Sequence, residues 1–118
     1  MQLRMSNRTI DGVLVVDCIG RVIFGEESAN LRDSVKKLAE QNPNIVLNMR
    51  DVEHIDSGGL GTLVALYTTA RNAGGALKLC SLPQRIGNLL QVTKLVTIFE
   101  VFPDEHSAAK SFKPGAAA

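Results

Sequence analysis

In this chain of 118 residues, the stretch Asp56-Ser57-Gly58-Gly59-Leu60-Gly61 has the residue types and spacing to do chemistry. It sets one hydroxyl between a carboxylate and a group of glycines. The run Asn44–Met49 before it has the apolar core of a buried parallel strand, and Leu60, Leu63, Val64, Tyr67 and Ala70 after it form one stripe at helical spacing. Ser57 therefore falls at or beside a helix N-cap, where the first backbone N–H groups have no helical partner. Such a terminus tolerates negative charge, so a phosphoryl group on Ser57 can be accommodated. A serine here can simply cap the helix. Gly58, Gly59 and Gly61, however, each stand where a good helix former would be more stable by about 0.5–1 kcal/mol. Either the backbone packs closely at this point, or something must reach the hydroxyl.

Other chemistries fit the residues less well. A nucleophilic serine needs a base within hydrogen-bond reach and a group to orient that base. His54 and Asp56 are nearby, but Ile55 stands where a G-x-S-x-G elbow has its first glycine. His54 reads as a surface-loop histidine, and no acidic or cysteine cluster accompanies His106. The run Gly58-Gly59-Leu60-Gly61-Thr62 is rich in glycine but lacks the lysine of a phosphate-binding P-loop and the G-x-G-x-x-G spacing. Four Phe, one Tyr, no Trp and no basic stripe speak against nucleic-acid recognition. No catalytic residue, metal ligand or cofactor site is expected.

The elements that must position Ser57 can be sketched from periodicity. Leu3–Arg8 and Val13–Ile19 read as strands around an Asp11-Gly12 hairpin turn. Gly20 breaks the second strand, with Val22-Ile23-Phe24 as a short continuation. Glu26–Gln41 reads as a helix burying Leu31, Val35, Leu38 and Ala39, and Asn42-Pro43-Asn44 ends it. The helix that starts at the motif runs to Asn72 and stops at Gly74-Gly75. Ala76–Cys80 is the next strand. Pro83 suits the first turn of a helix burying Ile86, Leu89 and Leu90, Ile98–Phe102 is a last strand, and Glu105–Lys110 is a short helix. Two strand–helix–strand passages call for parallel pairing and the hairpin for antiparallel pairing, which makes a mixed sheet.

Composition sets the bounds. Residues 1–112 suit a single domain and 113–118 a frayed tail. Apolar residues make up 45% and charged residues 21%, with a formal net charge of +1, so nothing draws the chain to nucleic acid or a membrane surface. No apolar run approaches the roughly 20 residues of a membrane span, and the N-terminus does not resemble a signal peptide. Cys18 and Cys80 lie in apolar, strand-like surroundings and read as reduced core residues, in keeping with a cytoplasmic protein.

The runs Ile45-Val46-Leu47-Asn48-Met49, Asp51-Val52 and Ile55–Gly61 resemble the STAS domain of anti-sigma factor antagonists. The likeness extends from Ile10 to Phe102, through Ala73-Gly74-Gly75 and Ser81-Leu82-Pro83. The family motif usually reads D-S-S-G-L-G, and Gly58 here replaces the second serine. The resemblance implies an α/β fold, a small mixed sheet with helices packed on one side. It also implies an anti-sigma factor antagonist that is not an enzyme and whose first motif serine, Ser57, is phosphorylated. The unphosphorylated form would bind an anti-sigma factor that is a GHKL-type serine kinase using ATP-Mg, and a metal-dependent phosphatase would reset the serine. The partner surface implied is Ile23, Phe24, Asp56, Ser57, Gly58, Gly59, Leu60 and Gly61. One position departs from the pattern: regulatory members carry a G-x-L-D turn after the second strand, whereas Gly20-Arg21-Val22-Ile23 places Ile23 where the aspartate belongs. Ile23 either packs into the core or faces the surface beside Ser57. Two other readings stand beside the switch, a non-switching scaffold module in a larger signalling assembly and a domain that binds a small ligand or nucleotide.

Overall fold

The computed structural model of the chain describes residues 3–112, except for the side chain of Glu27. In chain order the elements are β1 (Arg4–Ile10), β2 (Val13–Val22), α1 (Glu26–Gln41), β3 (Asn44–Ile55), α2 (Ser57–Asn72), β4 (Ala76–Cys80) and α3 (Gln84–Val92). A 3-10 turn (Leu95–Thr97), β5 (Val101–Phe102) and α4 (Glu105–Lys110) follow. The expected tail, residues 113–118, lies outside the described residues.

The sheet is mixed, with strands in the order β1-β2-β3-β4-β5. β1 pairs antiparallel to β2, from Arg4↔Ile19 to Ile10↔Val13. The hairpin turn places Asp11 (φ 53) and Gly12 (φ 80) in the left-handed region, as a tight two-residue turn requires. All later pairings are parallel: Leu14↔Ile45, Ile45↔Leu77 and Leu79↔Val101 are registered across β2 to β5.

Side chains alternate along the strands, and the two faces bury different partners. Leu14, Val16, Cys18, Ile45, Leu47, Met49, Leu77 and Leu79 share one cluster with Leu31 and Val35 of α1, Leu63 and Leu66 of α2, and Ile86 and Leu90 of α3. These three helices cover one side of the sheet, as expected. The short α4 covers part of the other, where Val13, Val15, Val46 and Cys80 pack with Ala108 and Ala109. On that face Arg8 engages Asp17 (2.9 and 3.0 Å) and Glu105, and the buried Lys78 donates to the Ser111 hydroxyl (2.8 Å) above the Phe112 ring. Both cysteines are buried and free, and burial pushes the Cys18 thiol up to about 12.

Several expected boundaries shift. Gly20 (φ 115) does not end β2: the strand bulges on either side of it and continues to Val22. Ile23 then leaves the sheet and Phe24-Gly25 forms a turn, so those residues do not prolong the strand. β3 runs on to Ile55, which makes His54 an exposed strand residue rather than a loop residue. Pro83 is the N-cap of α3 rather than part of its first turn. The last strand shrinks to Val101–Phe102 because the Ile98 and Phe99 amides bond back to the Leu95 carbonyl and close the 3-10 turn.

Candidate functional site around Ser57

The end of β2 and the end of β3 lie side by side, with Val22 registered on Ile55. The chain leaves both strands at the same level, into the starts of α1 and α2. This juxtaposition assembles the site, because it brings the turn 23–25 against residues 56–59.

Asp56 is the N-cap of α2, and its carboxylate accepts from the Gly59 amide at 2.8 Å. The same carboxylate accepts from the Phe24 amide at 3.0 and 3.1 Å. Hydrogen bonds from Gly59 first, then Phe24, hold its pKa below the ordinary carboxylate value. One side chain thus caps the helix and fastens the neighbouring turn. Ser57 is the first residue of α2 and exposed. The cap belongs to Asp56, so the capping role open to Ser57 on sequence grounds is not the one it fills.

Two of the three motif glycines answer a close approach of the backbone. A Cβ on Gly59 would lie 2.0 Å from the Val22 carbonyl oxygen and 2.8 Å from Ile55. On Gly58 it would lie 2.5 Å from the Phe24 Cβ, so the family's second serine cannot sit here without moving the turn. Gly61 meets nothing within 4 Å. The space over Gly58 and Gly59 that a phosphate-binding loop would leave for its ligand is filled by the chain itself.

Gly61 opens onto a groove of about 420 Å³ between the starts of α1 and α2. Phe24, Ser28, Ala29, Arg32, Gly58 and Thr62 complete its walls with Gly25. Phe24 stands at the rim with 81% of its surface exposed. Ser28 donates to the Ile23 carbonyl and Thr62 to the Gly58 carbonyl (3.0 Å), so both hydroxyls brace the site from within.

The residues expected to form a partner surface therefore come together, at different depths. Phe24, Ser57 and Gly61 are exposed; Ile23, Asp56 and Gly58 are half-buried; Gly59 and Leu60 are buried, Leu60 within the main core. Sequence reasoning missed Ser28, Arg32 and Thr62. Their signal was helical spacing: Ser28 and Arg32 lie four residues apart on α1, and Thr62 lies four beyond Gly58 on α2. Among the described residues no group of His, Cys, Asp and Glu can hold a metal ion, and no helix is long and apolar enough to cross a membrane.

The anti-sigma-B factor antagonist of Bacillus subtilis (strain 168) is 35% identical over 71 residues, spanning 60% of this chain and 65% of that protein. An anti-sigma factor antagonist from Mycobacterium paratuberculosis superposes with a TM-score of 0.79 at 21% identity, covering 94% of each chain. The anti-sigma factor antagonist SpoIIAA in its unphosphorylated form gives 0.67 at 13% identity, over 92% of this chain and 96% of that one. The phosphorylated form of SpoIIAA from Bacillus gives 0.66 at 14% identity, over 94% and 99%. Residues 4–108 match the family described as STAS domain, and the chain belongs to that family.

Proposed function

We propose that the chain is an anti-sigma factor antagonist that binds its partner through the Ser57 surface and is switched by phosphorylation of Ser57. The observation that carries this reading is the position of Ser57. It is an exposed hydroxyl at the start of α2, beside exposed Phe24, on a helix whose cap is made by another residue. A group added to Ser57 breaks no hydrogen bond that the fold uses.

The magnitudes favour a switch in binding over a switch in folding. A phosphoryl group brings about −1.5 to −2 charges at neutral pH. At an exposed helix start the dipole changes stability by only about 0.3–1 kcal/mol. An unpaired charge buried under a partner costs several kcal/mol, and each ~1.4 kcal/mol is tenfold in affinity. The proposed partner is an anti-sigma factor that is a GHKL-type serine kinase using ATP-Mg, held by the unphosphorylated chain. A metal-dependent serine phosphatase resets Ser57. The names of the B. subtilis relative and of SpoIIAA in two phosphorylation states support this direction.

The test is to capture partners on the wild-type chain and on Ser57→Asp, then incubate the captured protein with ATP-Mg and map phosphate on the chain. The expected result is a kinase-like protein held by wild type alone, with phosphate on Ser57. Capture of the same protein by both baits, with no phosphate on Ser57, contradicts the proposal.

A further inference from the structure

The Ser57 loop is flanked by two grooves rather than one. Besides the α1–α2 groove, the end of β3 and one side of α3, from Arg85 to Val92, enclose about 340 Å³. Ile55, Ile86, Leu89 and Val92 form its apolar part, and His54, Arg85 and Asn88 complete the lining. The Arg85 guanidinium donates to the Glu53 carbonyl, which pins its stem across the gap between α3 and β3. Val92 is 79% exposed. A lone exposed valine is ordinary, but this one continues a groove that reaches Ile55, two residues before Ser57.

The two grooves share two features. Each has an apolar wall, Phe24 in one and Leu89 with Val92 in the other. In each, the described lining contains one arginine, Arg32 or Arg85, and no carboxylate. From this we infer that the partner's footprint is two-lobed. It covers the α3 groove as well as the α1–α2 groove, and the partner presents an acidic side chain beside an apolar one to each. The inference rests on the Ser57 reading above and adds the chemistry of the partner to it. A face that carries carboxylates on both sides of Ser57 is the face most strongly opposed by a phosphoryl group placed between them. The two arginines thereby set the sign of the switch.

The test uses the anti-sigma factor that co-purifies with the wild-type chain, expressed and purified alone. Its Kd is measured against Val92→Asp, Arg85→Glu, Arg32→Glu and Ser57→Asp at several salt concentrations. Val92→Asp is the safest probe of the α3 groove because that side chain is already solvated. Val92→Asp should weaken binding about tenfold or more with unchanged melting temperature; Arg85→Glu gives up the bond to the Glu53 carbonyl and should melt slightly lower, but, assayed well below its melting temperature, should also bind about tenfold or more weakly and flatten the salt dependence. If both bind within about twofold of wild type while Ser57→Asp is lost, the α3 groove lies outside the footprint and the inference fails. If Ser57→Asp binds like wild type while Val92→Asp does not, the single two-lobed surface fails and the Ser57 reading fails with it. Self-association abolished by Val92→Asp would give the groove to a second copy of the chain and overturn the inference.

Discussion

The Asp56 carboxylate holds the Phe24 amide and the Gly59 amide at once, at 3.0 and 2.8 Å. A residue of the α2 cap thereby fixes the turn after β2, thirty-two positions earlier in the chain. Together with the Ser28 and Thr62 hydroxyls, this side chain holds the surface beside Ser57 in shape. Asp56→Ala should remove the cap and the tether together, at about 1–2 kcal/mol by urea denaturation. The Phe24 amide should also lose protection from hydrogen exchange. A variant as stable as wild type, with Phe24 still protected, would show that the turn is held by other contacts.

The pH dependence follows from the same geometry. The folded-state pKa of Asp56 lies below its ordinary value, so its hydrogen bonds contribute stability above the unfolded pKa of about 3.9. That contribution is lost as pH falls through the lower folded value. Asp17, lowered chiefly by its hydrogen bond from Arg8, adds to the same acid limb. Stability should be flat around neutrality and fall below about pH 4, and Asp56→Asn should make that fall shallower. Urea midpoints measured against pH on both proteins check it.

The glycines separate packing from access. Gly59→Ala should be strongly destabilising, because its Cβ would lie 2.0 Å from a backbone oxygen that cannot swing away. Gly61→Ala should stabilise the chain by about 0.5–1 kcal/mol, since its Cβ meets nothing and alanine favours the helix. If the α1–α2 groove receives the partner, Gly61→Ala should also bind it more weakly. Melting temperature and Kd on the two variants distinguish these roles.

Much of the fold was legible because the periodicities are strong. The apolar run Val13–Val16 marks a strand, which the structure buries on both faces, and the α1 stripe of Leu31, Val35 and Ala39 predicts the helix face that is buried. What the sequence hid was long-range. The continuation of β2 past Gly20 depends on pairing with β3, which a local reading of glycine as a breaker cannot see. The cap was assigned to the neighbourhood of Ser57, and choosing Asp56 required knowing that Phe24 donates to it. Gly58 and Gly59 were read as either close packing or access, and only the distances to Phe24 and Val22 decide for packing.

Ile23 tests the departure from the family turn. It is half-buried and its carbonyl is held by Ser28, so it is neither a core residue nor free at the surface. Ile23→Asp should fold with a loss of about 1 kcal/mol, and Ser57 phosphorylation by the cognate kinase should rise. Melting temperature and phosphorylation rate on the same variant decide the matter. A stable protein with unchanged kinetics would take the turn out of the switch.

Nucleotide binding is the rival reading with the sharpest test. With Gly58 and Gly59 covered by Phe24 and Val22, millimolar ATP or GTP should leave the melting temperature unchanged. A ligand at 100 times its Kd would stabilise by about 2.7 kcal/mol, a shift easily seen.

The central claim is that charge on Ser57 controls binding and not folding. The most direct measurement is the affinity of the purified anti-sigma factor for the chain with Ser57 unmodified, phosphorylated, or replaced by alanine, alongside the melting temperature of each. Ser57→Ala should bind like wild type and melt close to it, because Asp56 makes the cap. The phosphorylated chain should melt within a few degrees of wild type and bind at least about tenfold more weakly. Equal affinity of the phosphorylated and unmodified chains would contradict the account.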